Sequence, residues 1–180
     1  LHHHRIVRVF AHELLERCDQ DPVFRDAVLT KASRDICWTF DALFQTKDPR
    51  RSPSERPFIL YPHERILLLD LDARLKWGRD LLIEKSRDMG CSWSVLCWLL
   101  WHWRFDASFH AIVGSRLEDL IDEKGNLDTH FERLRWACRH LPMWWLPHKF
   151  DEARHLSMAF SESRHIPYMR LMRPDSDNTI

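Results

Sequence analysis

The stretch Asp80–Trp93 (DLLIEKSRDMGCSW) constrains this chain more than any other. It opens on the apolar run Leu81-Leu82-Ile83, which lacks the alternation of a half-wet strand. Such a run suits a central parallel strand buried on both faces. A polar loop follows, ends in Met89-Gly90-Cys91-Ser92, and gives way to a helix start. Strand, Gly-containing loop and helix is the arrangement in which backbone amides and a helix N-terminus hold a nucleotide phosphate.

The bulk numbers bound the reading. At 180 residues and 44% hydrophobic content the chain reads as one globular domain with a real core, not a disordered segment. Lys+Arg and Asp+Glu are both 27, so no net charge advertises a nucleic-acid partner and only a local basic patch can serve one. Cys18, Cys37, Cys91, Cys97 and Cys138 are scattered and form no CxxC pair. That argues against a disulfide framework and a zinc site, and for a reducing compartment. No apolar run reaches transmembrane length and no signal peptide is visible, so no membrane role is expected. The chain starts without Met, which fits a fragment, and His2-His3-His4 are assigned no metal.

Read in order, Ile6, Phe10 and Leu14 share a helical face over residues 5–18. Asp21-Pro22 supplies an N-cap and first-turn proline for a second helix to about Lys31, burying Phe24, Ala27 and Val28. Residues 32–56 lose periodicity, and Lys47–Arg56 (KDPRRSPSER) reads as a basic linker whose Arg50, Arg51 and Arg56 are candidate phosphate or subunit contacts. The domain division drawn from this is 1–56, a helical segment and linker, and 57–180. Pro62 opens a helix, His63–Trp77, with Ile66, Leu67, Leu69, Ala73 and Leu75 as its apolar positions and Gly78 as its stop. Residues 92–104 form an enclosed helix, since Trp93, Trp98 and Trp101 widen the face set by Val95, Leu96, Leu99, Leu100 and Trp103. Phe109–Gly114 reads as a second buried strand and Arg116–Asp122 as a short helix. Asp128–His140 reads as a helix with Thr129 and Glu132 in a capping box. Ser157–Phe160 and Tyr168–Met172 read as strands. Strands alternating with helices predict an α/β fold, a mainly parallel sheet flanked by helices, with an N-terminal helical segment.

The loop is then compared with the standard phosphate pattern G-x-x-x-x-G-K-[ST]. With Gly90 and Ser92 aligned to its second Gly and its hydroxyl residue, Cys91 takes the Lys position and Lys85 the first Gly position. The cation has moved to the start of the loop. Gly90 permits close backbone approach, the amides from Met89 to Trp93 favour an anion, Ser92 is a candidate Mg²⁺ ligand, and Lys85 and Arg87 are candidate partners of the β/γ-phosphates.

Lys85-Ser86-Arg87-Asp88-Met89-Gly90-Cys91-Ser92-Trp93 resembles the deviant Walker A motif of the large subunit of tailed-bacteriophage terminases, where the lysine commonly stands at the loop's start. Flanking pieces resemble that family in order. They are Asp35–Asp41 upstream, Phe58–Glu64 as the adenine-side motif, Ala111–Arg116 as the second strand with its Ser-Arg ending, and Leu141–Pro147 and Met169–Ile180. The likeness covers roughly residues 35–180 and implies a P-loop NTPase-like ATPase. The implied work is coupling ATP hydrolysis to translocation of double-stranded DNA into a procapsid in the host cytoplasm. ATP and Mg²⁺ would be its cofactors, and the small terminase subunit, the portal and DNA its partners in a ring homo-oligomer. Lys85 and Arg87 would be catalytic, residues 85–93 would cradle the nucleotide, Ser92 would hold Mg²⁺, and Glu64 would lie near the base.

Departures accompany the likeness. Glu64 stands where the family has Gln, and a carboxylate cannot donate to a ring nitrogen. No Walker B carboxylate run, catalytic Glu or nuclease domain is present, so this piece is expected to bind nucleotide and hydrolyse it poorly. The alternatives are a helicase-like ATPase using the same loop, and a non-catalytic helical interaction domain. Other residues have plain readings: Arg116 as a surface ion pair, Trp144 and Trp145 as core closure, His102 and His110 as core histidines, and Asp119, Asp122 and Glu123 as a solvated acidic face. Cys91 is a thiol whose pKa the helix N-terminus would lower.

Overall fold

The computed structural model describes residues 2–48, 52–86, 89–106, 108–115, 117–147, 156–161 and 166–171. The chain divides into two compact units, residues 1–98 and 99–180. The basic stretch 47–56 lies inside the first.

The first unit begins with three helices, α1 (His2–Gln20), α2 (Pro22–Arg34) and α3 (Ile36–Leu43). The break before α2 follows from its chemistry. Asp21 is extended and its carboxylate accepts from the Val23 and Phe24 amides at 3.0 Å each, while Pro22 has no N–H to satisfy. Asp35 repeats the device for α3, accepting from the Trp38 amide at 2.9 Å. Burial alone would raise the Asp35 carboxyl, but the bonds from Lys31 and the Trp38 amide outweigh it and hold it below its ordinary value. Cys18, Val28, Ala32, Ile36, Phe40 and Leu43 form the core of this bundle. Ala27, expected to be buried, is exposed, and so is Phe10 on the shared apolar face of α1.

An antiparallel pair, β1 (Gln45–Lys47) and β2 (Glu55–Pro57), takes in the two ends of the stretch read as a linker. It ends where the Phe58 amide donates to the Phe44 carbonyl at 3.0 Å, which seats Phe58 against Phe40. Helix α4 (Pro62–Trp77) then runs to Gly78, whose φ of +61° closes the helix in the left-handed conformation. Only Leu68 among its apolar residues is fully enclosed; Ile66, Leu69 and Leu75 are exposed instead of forming the expected apolar face, and Trp77 is exposed as well.

The expected central strand at Asp80–Glu84 does not form. Residues 79–86 have no regular secondary structure, and Leu82 is 96% exposed. A buried parallel strand needs a hydrogen-bonded neighbour on each edge. Among the described residues of this unit the only strands are β1 and β2, already paired with each other. Leu82→Asp is accordingly expected to shift stability by no more than about 0.5 kcal/mol, as surface changes do. A urea titration checks this, and a loss of several kcal/mol would restore the buried strand.

Helix α5 (Cys91–Phe105) opens in the first unit and closes in the second. Leu96, Cys97, Trp98, Leu100 and Trp103 are buried, as the all-round apolar sequence predicts. The second unit continues with β3 (Ala111–Gly114), a 3₁₀ turn (Glu118–Leu120), α6 (His130–Arg139), β4 (Leu156–Ser161) and β5 (Ile166–Leu171). The strands lie in the order β3-β5-β4, each pair antiparallel. The expected α/β fold with a mainly parallel, P-loop-type sheet is therefore overturned. Among the described residues the chain is mostly helical, with two small antiparallel sheets. Along β3 burial alternates, with Ala111 in and Ile112 out, the pattern of an antiparallel strand wet on one face.

Helix α6 is held by charge. Arg135 makes a bidentate pair with Asp122 and a 3.3 Å contact to Glu132, which also accepts from Arg139 at 2.9 Å. Burial would raise the Glu132 carboxyl, yet bonds from Arg139, the Gly125 amide and Arg135 hold it below its ordinary value. The expected capping box at Thr129 and Glu132 is absent. The Thr129 hydroxyl turns back to the Asn126 carbonyl at 2.9 Å, and Glu132 is committed to the arginines. Asp122 is thus part of an ion-pair network, not of a solvated acidic face.

Candidate functional site

The loop and the two helix starts that flank it lie within the first unit. Helix α4 begins at Pro62, and its third residue, Glu64, folds back so that Oε2 accepts from the Tyr61 amide at 2.9 Å. Asp41 of α3 fixes the approach to this turn, accepting from the Leu60 amide at 3.0 Å and pairing with Arg65. Burial works against the charge on Arg65, but the Asp41 bond outweighs it and raises its pKa.

Twenty-six residues later, Gly90 turns the chain into α5. Its φ is +74°, a conformation that costs glycine nothing and other residues about 1 kcal/mol or more. The Ser94 amide donates to the Gly90 carbonyl at 3.0 Å, making the first α5 bond. By helix geometry the amides of Cys91 and Ser92 then have no acceptor within α5 and lie at the positive end of its dipole. Ser94 is fully buried, and its hydroxyl donates to Glu64 Oε1 at 3.2 Å. A carboxylate of α4 is thereby packed beneath the turn that opens α5.

Lys85, Ser86 and Met89 are exposed, and Gly90, Cys91, Ser92 and Trp93 are half-buried. Burial pushes the Cys91 thiol up; Lys85 opposes that rise and Glu64 adds to it. The same balance corrects the expected drop in the Cys91 pKa: the group is a thiol at neutral pH and not an activated nucleophile. Glu64 is not presented to a ligand, being 2% exposed with both oxygens engaged. Arg87 and Asp88 lie outside the described residues, as do Arg50, Arg51 and Arg116.

Among the other candidates, Trp145 is buried and Phe105 packs on it edge to face, as a core-closing residue should. His102 stacks on Phe109 with ring centroids 5.1 Å apart. His110 is exposed, not a core histidine. The sequence reading missed Asp41 and Ser94. A serine one turn into a helix whose next seven residues are apolar is the only local sign of the latter.

No group of His, Cys, Asp and Glu among the described residues is arranged to hold a metal ion by itself. No helix among the described residues is long and apolar enough to cross a membrane. No protein-family model, curated protein or solved structure matches the chain.

Proposed function

We propose that the chain binds ATP·Mg²⁺ through the loop from Lys85 to Trp93. On this reading it is the ATP-binding part of a viral DNA-packaging motor, the large subunit of a tailed-bacteriophage terminase. The observation that carries the reading is the positive-φ turn at Gly90 opening α5, at the end of a loop that begins with the exposed Lys85. The resemblance of residues 85–93 to the terminase loop narrows nucleotide binding to that family, and it rests on the loop alone, since the parallel sheet that the family's fold implies is not formed among the described residues. Lys85 would neutralise the β/γ-phosphates, the amides of Cys91 and Ser92 would bind phosphate oxygens, and Ser92 would supply its hydroxyl to Mg²⁺. Arg87 adds a second cation by sequence. When bound, ATP supplies the phosphoryl transfer whose energy drives translocation of double-stranded DNA. The small terminase subunit, the portal, a ring of like subunits and the host cytoplasm follow from the same proposal.

Calorimetric titration with ATP·Mg²⁺ tests it. The wild-type protein is expected to bind, and Lys85→Ala to weaken binding by about 10- to 100-fold, the loss of one charge-assisted phosphate contact. Absence of wild-type binding would remove the nucleotide reading.

A second reading has its own observation. Ile66, Leu69 and Trp77 of α4 and Leu82 beyond it are all exposed, which fits a non-catalytic helical domain that presents apolar surface to a partner. It expects no response to ATP·Mg²⁺ in either protein.

A further inference from the structure

We infer that Glu64 is a positioning residue of the phosphate loop, acting through Gly90 and Ser94, and not a contact to the nucleotide base. The inference rests on the nucleotide reading above and assigns Glu64 a different task within it. Three observations carry it. The carboxylate is 2% exposed, so no base reaches it without unpacking the turn. Both oxygens are committed, Oε2 to the Tyr61 amide at 2.9 Å and Oε1 to the Ser94 hydroxyl at 3.2 Å. A Cβ placed on Gly90 would stand 2.3 Å from Oε1, far inside contact distance, so the carboxylate fills the space under the loop's last turn.

Glu64 therefore ties the first turn of α4 to the first turn of α5. Residue 90 is held to glycine twice over, by its φ and by the carboxylate beneath it. The direction of the Cys91 and Ser92 amides follows from where that turn sits, and those amides are the proposed phosphate donors. Glutamine can keep both contacts, its carbonyl accepting from Tyr61 and its amide donating to the Ser94 oxygen. Alanine keeps neither.

The roles separate in a comparison of Mg²⁺ complexes of ATP, GTP and inorganic tripolyphosphate, the last having no base at all. A positioning role predicts that Glu64→Ala weakens all three by the same factor, about tenfold for a lost hydrogen-bonded anchor. Glu64→Gln should stay within about threefold of wild type on all three. Gly90→Ala should cost less in the Glu64→Ala background than alone, because the clash with Oε1 is gone. Should Glu64→Ala not fold, Ser94→Ala carries the same expectation of uniform weakening. An altered ATP-to-GTP ratio with unchanged tripolyphosphate affinity, in Glu64→Gln or Glu64→Ala, would overturn this inference and leave nucleotide binding intact. Wild-type protein that binds none of the three would overturn the nucleotide reading, and this inference with it.

Discussion

Arg135→Met is expected to destabilise the second unit by about 3–5 kcal/mol, the cost of leaving buried carboxylates without their cation. The arginine side chain is 7% exposed and sits between Asp122, which it grips with both terminal nitrogens, and Glu132. Methionine replaces the aliphatic stem, so the loss isolates charge from packing. Glu132 retains Arg139 at 2.9 Å, which places the effect chiefly on Asp122. Adding Asp122→Leu to Arg135→Met should recover most of the loss, since an apolar pair in place of a buried ion pair is often neutral or better. Urea midpoints of the single and double variants check both statements. A single variant as stable as wild type would show that the network contributes nothing.

Phe40→Ala is expected to cost the first unit about 3–5 kcal/mol. Phe40 is fully buried, with the Phe44 ring centroid at 4.9 Å and the Phe58 ring at 5.1 Å. These rings join α3 to the chain leaving β2, and through it to the turn where Asp41 holds Leu60 and Arg65. The cavity would therefore loosen the entry to α4, on which Glu64 rides. Phe40→Leu keeps most of the apolar bulk and should cost less. Equal urea midpoints for wild type and Phe40→Ala would contradict this packing.

These two sites show what was legible in the sequence and what was not. Helices α1, α2, α4, α5 and α6 were readable because caps and stops are local: Asp21-Pro22, Pro62 and Gly78 act within a few residues. Helix α3 was not: Ile36, Thr39, Phe40 and Leu43 do stand at i, i+3, i+4 and i+7, but the helix is only 8 residues long, and the apolar Cys37, Trp38 and Ala42 beside that face blur the period. The run Leu81-Leu82-Ile83 misled for the opposite reason. Apolar content without alternation is read as double burial, but burial depends on neighbouring strands that no local pattern supplies. The Thr129–Glu132 box had the right spacing and lost to stronger partners, the arginines for Glu132 and the Asn126 carbonyl for Thr129. At the loop, glycine before a helix was legible and Gly90 opens α5 as expected. The carboxylate beneath it was not, because Glu64 and Gly90 meet only through the packing of α4 on α5.

The central claim is that phosphates are held at the start of α5, and residue-resolved amide NMR during titration with ATP·Mg²⁺ tests it most directly. The account predicts that the largest shifts fall on Gly90, Cys91 and Ser92, and that they shrink in Lys85→Ala. Unmoved amides at these three positions, with shifts elsewhere or none at all, would contradict it.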